Sequence, residues 1–309
     1  MRAAQINEYG DPSVIKINGI EKPTAGDRQV LIEAHASSIN PFDSKLRSGK
    51  MQDSISLSFP VTLGGDIAGV VTKVGQNVTD FAPGDKVYGQ AAAVAGNSGA
   101  FAEFATTSVG QIAPMPNNLD FKQAASLPLV GVSAVQALTE HINLQKGQKI
   151  FITGGSGGIG TIAIQIAQHI GAYVATTVPT EGVEAAKQLG ADEVIDYKTQ
   201  DFAELLQGYD AVYDLVGNEF DKTLRILKKG GVAVTMVAQP NEKLAAELGV
   251  SVIGQSTAVT TKRLTKLARL VEAGVVKAQI DAVFSLDNIA EAFASKESGT
   301  TVGKIVIEI

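Results

Sequence analysis

The chain has 309 residues, 45% hydrophobic and 19% charged, with a formal net charge of -6 and no basic block. That length allows two domains with sizeable cores, and the charge argues against nucleic acid or an anionic membrane surface as partner. The absence of cysteine removes disulfides, thiolate nucleophiles and thiolate metal sites, and it fits a reducing, cytoplasmic setting.

The first stretch, Met1-Arg2-Ala3-Ala4-Gln5-Ile6, lacks the apolar core of a signal peptide and reads as a strand. Residues 30–36 and 67–74 read as further strands. Pro12, Pro23, Pro41, Pro60 and Pro83 alternate with Gly10, Gly26, Gly49 and Gly84 between such runs. Short strands parted by these turn residues predict a β-rich domain, barrel-like, over residues 1 to about 110. Pro83-Gly84-Asp85 is a turn before the strand Lys86-Val87-Tyr88, and residues 91–100 read as a mobile loop. Near residue 119 the pattern changes. A helix starts over 122–125 and a longer one runs over 132–141.

From Lys149 strands and helices alternate, with strands at 150–153, 173–177, 193–196, 210–214, 231–237 and 250–254. Helices are expected at 158–170, 181–189, 219–228 and 260–273. This alternation predicts a doubly wound parallel sheet covered on both faces. The tail over 280–309 reads as strand, helix (287–294) and strand. No apolar run approaches the length of a membrane span, and no solenoid-type repeat is evident.

The stretch from Lys149 to Gly171 organises the chain. After Ile150-Phe151-Ile152-Thr153 comes Gly154-Gly155-Ser156-Gly157-Gly158-Ile159-Gly160, in which Gly155, Gly157 and Gly160 satisfy G-x-G-x-x-G. One glycine allows the strand-to-helix turn, one lets the backbone approach a pyrophosphate, and one lets helix and strand lie close. The following helix offers free N–H groups and partial positive charge to an anion. An NAD site usually has Asp or Glu at the end of the second strand, about 20 residues on, to bind the ribose 2′-hydroxyl. Here that strand ends Ala175-Thr176-Thr177-Val178, without a carboxylate. NADP(H) is therefore favoured, although Glu181 follows closely enough to face the ribose. Tyr197, after the third strand, is placed either to contact the adenosine end or to sit half-buried at a strand end.

Several further segments stand in order along the chain: Ser38-Ile39-Asn40-Pro41-Phe42-Asp43, the run from Leu63 to Val71, the run from Phe81 to Gly89, Ala100 to Phe104, and Leu127 to Ala134. The glycine turn, Leu189 to Tyr197 and Gly303-Lys304-Ile305-Val306 complete the set. Together they resemble the medium-chain dehydrogenase/reductase superfamily, more closely its zinc-free quinone oxidoreductase branch. The resemblance spans nearly the whole chain. It implies a GroES-like catalytic domain from residues 1–118 and 276–309, around a Rossmann dinucleotide-binding domain at 119–275, with the cofactor in a cleft between them. Zinc relatives carry Cys where this chain has Ile39-Asn40-Pro41 and His-Glu where it has Gly65-Asp66. The three histidines, His35, His141 and His169, read as structural. No metal site is expected.

By the same resemblance, Ser156, Gly157, Gly158 and Ile159 match the pyrophosphate turn, and Thr177 and Tyr197 the surroundings of a 2′-phosphate. Val216, Val237 and Ala238 match loops along the adenosine, ribose and nicotinamide. Ser133 matches a small hydroxyl residue near the nicotinamide, and Lys304 a basic residue for the phosphates. Gly182 stands where NADPH-selective relatives often carry Lys, and Lys45 where some quinone reductases carry Tyr. The activity implied is hydride transfer from NADPH to a quinone or an α,β-unsaturated carbonyl. Asn40 is the expected donor to the substrate oxygen or cofactor ribose, Asp43 its support, and Lys45 a proton donor or a solvated side chain. Tyr88 is a further proton-donor candidate or a wall residue. A 2-enoyl thioester reductase and an NADPH-binding sensor without turnover are the alternatives. A homodimer through the sheet edge near residues 250–256 is implied.

Overall fold

The computed structural model describes residues 1–299 and 301–309. The chain forms two compact units. One comprises Met1–Leu129, Val259–Glu272 and Ala278–Ile309, and the other Val130–Ala258 and Ala273–Lys277. The bounds expected from sequence, 118/119 and 275/276, leave the helices Phe121–Ala125 and Thr261–Glu272 on the other side of the division. Hydrogen bonding accounts for the second. Thr261 Oγ1 donates to the carbonyls of Val109 and Ile112. Tyr88 Oη donates to Leu264 O at 2.6 Å, and Asn118 Nδ2 to Val271 O at 3.1 Å.

In the second unit a six-stranded sheet runs Glu193–Asp196, Tyr173–Val178, Lys149–Ile152, Tyr209–Asp214, Leu227–Thr235, Ser251–Gly254. Every neighbouring pair is parallel. Counted along this unit the order is 3-2-1-4-5-6, the doubly wound arrangement, so the fold class expected from strand–helix alternation is the one observed. Ile150, Phe151 and Ile152 are buried, as a central strand covered on both faces requires. Phe151 packs with Phe202, Tyr209, Val212 and Leu224 in the core. Helix Gly158–Ile170 buries Ile162, Ala163, Ile164, Ile166 and Ala167 and ends where Gly171 takes a left-handed φ of 86°.

The departures have local causes. Helices Phe202–Leu205 and Glu242–Leu248 were not expected. Each is started by a polar cap, Asp201 accepting from the N–H of Ala203 and Asn241 from that of Leu244. The helix expected over 219–228 stops at Leu224, because Leu227 already pairs with Tyr209. The helix expected over 132–141 begins earlier, at Pro128, and its last turn widens into a π-turn over Ala137–His141.

The first unit is β-rich. Its seven-stranded sheet runs Ile280–Ser285, Lys304–Glu308, Gln29–Ser38, Asp66–Val74, Lys86–Gln90, Ile112–Pro114, with Phe104–Ser108 also pairing on Gln29–Ser38. The last strand pairs antiparallel with Gln29–Ser38, so both chain ends build this unit. A second sheet of three strands centres on Arg2–Ile6. Its core holds Ile6, Ile39, Phe101, Phe293, Ile305 and Ile307, with Phe101 and Phe293 edge to face. Residues 91–100, read as a mobile loop, are anchored. Ala91 and Ala100 are fully buried, and the Gly99 N–H donates to Ala91 O at 2.9 Å.

Candidate active site

The glycine turn leaves Ile152 at the C-terminal end of the first strand of the second unit. Two of its glycines are required by contact. A Cβ on Gly155 would lie 2.2 Å from Thr176 Oγ1, and one on Gly160 would lie 2.3 Å from Gly154 O. Gly157 differs: a Cβ there would meet only Gly154 O, at 3.3 Å. No side chain caps the helix that starts at Gly158. Its first N–H groups therefore face outward with the positive end of the helix dipole, ready for an anion. Ser156 is buried, and Gly157, Gly158 and Ile159 are half-buried.

Around this turn the loops after later strands converge. Val216 Cγ2 would stand 3.0 Å from a Cβ on Gly154, and Val237 Cγ2 2.7 Å from one on Gly217. Both valines are 49% exposed, an apolar rim beside the anion-binding backbone. Ala238 is half-buried, its N–H donating to Thr235 Oγ1 at 3.0 Å. Thr177 is buried and accepts from the Gly154 N–H at 3.2 Å, so its hydroxyl braces the turn. Tyr197 is 57% exposed. Ser133 is fully buried, its hydroxyl 2.7 Å from that of Thr257.

One organiser of this region was missed from sequence. Asp214, buried at the end of its strand, accepts from Thr153 Oγ1 at 2.9 Å and from the Gly217 N–H at 3.1 Å. Its other oxygen accepts from Thr235 Oγ1 at 2.8 Å. The signal available was a carboxylate closing the apolar run Ala211-Val212-Tyr213 just before Gly217.

In the first unit the fold gathers Asn40, Asp43, Asp66 and Lys304. Asp66 is 0% exposed; its Oδ2 accepts from Ser38 Oγ and from Asn40 Nδ2, both at 2.8 Å. Its Oδ1 accepts from the Leu129 N–H at 3.0 Å. Lys304 Nζ donates to Ile39 O at 2.7 Å and to Asn40 Oδ1, and stands 3.5 Å from Asp66 Oδ2. Lys304 is 5% exposed, so the residue expected at cofactor phosphates is an internal counter-ion. The cause is electrostatic, since a carboxylate this deeply buried needs a cation and donors around it. Burial pulls the Lys304 ammonium below its ordinary value, opposed by Asp66 and Asp43.

Asn40 is buried, bridging Asp66 and Lys304 through its amide. Asp43 lies one turn into helix Pro41–Arg47 and accepts from the Asn40 N–H at 2.8 Å. Lys45 is exposed on the same helix. Tyr88 is fully buried, its phenol donating to Leu264 O. Among the described residues, no group of three or more His, Cys, Asp or Glu could hold a metal. His35 stacks on Phe121, His141 lies by Gln136, and His169 sits in the last turn of helix Gly158–Ile170.

A parallel sheet in this order, with an uncapped helix behind its first strand, defines a dinucleotide-binding α/β protein. The family model described as alcohol dehydrogenase GroES-like domain matches residues 26–117, and the one described as zinc-binding dehydrogenase matches residues 189–307. The chain is 36% identical to a 2-methylene-furan-3-one reductase of Solanum lycopersicum, over 99% of this chain and 79% of that protein. It is 35% identical, with the same coverage, to a chloroplastic NADPH-dependent alkenal/one oxidoreductase of Arabidopsis thaliana. The solved structure of a quinone oxidoreductase from Coxiella burnetii superposes with a TM-score of 0.90 at 31% identity, covering 100% of this chain and 99% of that one. The chain belongs to the medium-chain dehydrogenase/reductase superfamily, in its quinone oxidoreductase branch.

The Asp43 carboxyl has an ordinary value of 3.8 and is pushed up to about 7, first by burial and then by nearby Asp66, against the Asn40 N–H and Lys304. The folded state thus holds this proton more tightly than the unfolded chain. Its stabilising contribution is complete below the ordinary value and is lost as pH rises through about 7. Asp43→Asn keeps an acceptor for the Asn40 N–H and removes the titration. Between about pH 5 and about pH 8 the wild type is expected to lose on the order of 2 kcal/mol more stability than the variant. Equal losses in urea unfolding at the two pH values would remove the assignment.

The glycine geometry separates folding from binding. Gly160→Ala is expected to cost about 2 kcal/mol through backbone overlap. Gly157→Ala is expected to keep the melting temperature within about 2 °C while weakening dinucleotide binding about tenfold, since its methyl enters the space a pyrophosphate needs. Thermal unfolding and calorimetric titration measure the two effects. The reverse ranking would refute these roles.

Proposed function

We propose that this chain is a zinc-independent, NADPH-dependent oxidoreductase that reduces a quinone or an α,β-unsaturated carbonyl by hydride transfer. The observation that carries this reading is the uncapped, glycine-lined N-terminus of helix Gly158–Ile170 on a sheet of 3-2-1-4-5-6 order. The acceptor class is supported by relatives named alkenal/one oxidoreductase and quinone oxidoreductase, and the cofactor by a relative named NADPH-dependent.

Bound NADPH supplies the hydride; the protein binds, orients and shields it. The backbone of Ser156, Gly157, Gly158 and Ile159 holds the pyrophosphate, with Thr177 fixing the turn. Tyr197, Val216, Val237 and Ala238 line the adenosine, ribose and nicotinamide, and Ser133 backs the nicotinamide side. Lys304 acts on the site through Asn40 and Asp66 rather than by touching phosphate. The Asn40 amide has two hydrogens, of which one donates to Asp66. The other is assigned to the acceptor oxygen or the cofactor ribose. Asp43 holds the Asn40 loop, and Lys45 is the proton source on the solvent side.

Zinc-independence is supported by the donor set. The chain has no cysteine, and Asp66 is saturated by Ser38, Asn40, Leu129 and Lys304. Hydrogen-bond donors polarise a carbonyl less than a Lewis acid does, which favours acceptors whose reduced form is already stabilised, such as hydroquinones and enolates. The domain reading that goes with this function is a GroES-like catalytic domain at 1–118 and 276–309 around a Rossmann domain at 119–275. Among the described residues no helix is long and apolar enough to cross a membrane; a cytoplasmic location is part of the proposal.

NADPH oxidation by a benzoquinone or a short alkenal is expected to proceed at the same rate before and after chelator treatment, and Asn40→Ala to lower turnover about tenfold. Activity lost on chelation and restored by zinc would refute the metal-free mechanism. Unchanged turnover in Asn40→Ala with every acceptor would remove its role.

The half-exposed edge strand Ser251–Gly254 is the proposed seam of a homodimer. Light scattering at micromolar concentration is expected to give twice the chain mass. A monomer mass would discard the seam.

A further inference from the structure

A 2′-phosphate adds about −1.5 to −2 charge relative to a 2′-hydroxyl near neutral pH, so its recognition needs a cation beyond the helix dipole. The loop after the second strand, Pro179-Thr180-Glu181-Gly182, carries no cation and does carry a carboxylate. This loop lies directly on the glycine turn, since a Cβ on Gly182 would be 2.9 Å from Ser156 Cβ. The neighbouring strand ends in register with it, Asp196 opposite Val178. Asp196 then fixes the next turn. Its Oδ2 accepts from Thr180 Oγ1 at 2.6 Å and its Oδ1 from the Lys198 N–H at 3.0 Å. Lys198 is thereby held beside Glu181, and its Nζ donates to both carboxylate oxygens, at 2.8 and 2.9 Å.

We infer that the Glu181–Lys198 ion pair selects between NADPH and NADH, with Lys198 as the 2′-phosphate contact and Glu181 as the competitor for it. The inference rests on the oxidoreductase reading above. Each partner suits one cofactor: a carboxylate here accepts from a ribose 2′-hydroxyl, and an ammonium here pairs with a 2′-phosphate. In the structure they satisfy each other. Both are solvated, Lys198 with 46% and Glu181 with 69% of the side chain exposed, so the pair is weak and exchangeable. NADPH exchanges the Glu181 carboxylate on Lys198 for a phosphate and must displace one anion from another's partner. NADH leaves the pair intact. The chain is therefore expected to accept both cofactors, with a preference for NADPH that Glu181 holds down.

The test is calorimetric titration of the full chain with NADP+ and with NAD+, for the wild type, Lys198→Met and Glu181→Gln. Lys198→Met is expected to weaken NADP+ binding about tenfold or more, with NAD+ moved less than about twofold. Glu181→Gln frees Lys198 and is expected to tighten NADP+ at least about threefold while NAD+ does not tighten. If the wild type binds both nucleotides and neither variant moves their ratio, the pair has no selecting role. Glu181→Gln that weakens NADP+ also overturns the inference. If the wild type binds neither nucleotide, the oxidoreductase reading itself fails.

Discussion

A carboxylate with no exposure, Asp66, is the constraint on which the first unit's polar centre depends. Its two oxygens collect the Ser38 hydroxyl, the Asn40 amide, the Leu129 N–H and the Lys304 ammonium. Those groups come from the end of strand Gln29–Ser38, the turn after it, the start of helix Pro128–Gln136 and the first residue of strand Lys304–Glu308. Removing one member of such a cluster leaves a buried charge uncompensated, at a cost of about 3–5 kcal/mol. A hydrophobic replacement of the whole would be less costly, so the cluster holds geometry more than it adds stability. What it fixes is the Asn40 amide, clamped between acceptor and donor.

The second unit also relies on a buried carboxylate, here collecting hydroxyl and N–H donors. Asp214 ties the ends of three parallel strands, through Thr153, Gly217 and Thr235. That holds the loops carrying Val216 and Val237 beside the glycine turn, while Thr177 braces the turn from the other side. The turn closes only with glycine at two places, because a Cβ on Gly155 would overlap Thr176 and one on Gly160 would overlap Gly154. Preorganised donors of this kind need no charged side chain at the pyrophosphate.

Much of this was legible in the sequence for physical reasons. A buried parallel strand must be apolar throughout, so Ile150-Phe151-Ile152 announced itself, and the glycine spacing marked the turn. Short helices such as Phe202–Leu205 and Glu242–Leu248 were not legible, because each has two turns or fewer and draws its stability from its cap and packing. Asp214 was missed, and the buried partners of Lys304 were not foreseen, for a common reason. A charged residue at a strand end has the same local pattern whether it faces solvent, ligand or a buried partner. Only the partner, far away in sequence, decides. Lys304 and Asn40 are 264 residues apart in the chain and share a hydrogen bond.

The placement of Lys304 bears on the proposed cofactor recognition. Its ammonium is turned inward on Asp66 and Asn40, so in that proposal its charge is spent on them and not on the phosphates. The helix dipole, worth about half an elementary charge, would serve the pyrophosphate. It falls off within a turn and cannot also neutralise a 2′-phosphate near the ends of the second and third strands. The proposed recognition then requires a side-chain cation there, a role assigned above to Lys198, which follows Asp196 opposite Val178 and is paired with Glu181. A buried lysine that has become structural and an exposed lysine that remains exchangeable thus divide the work. One fixes the Asn40 cluster, and the other is available to an incoming phosphate.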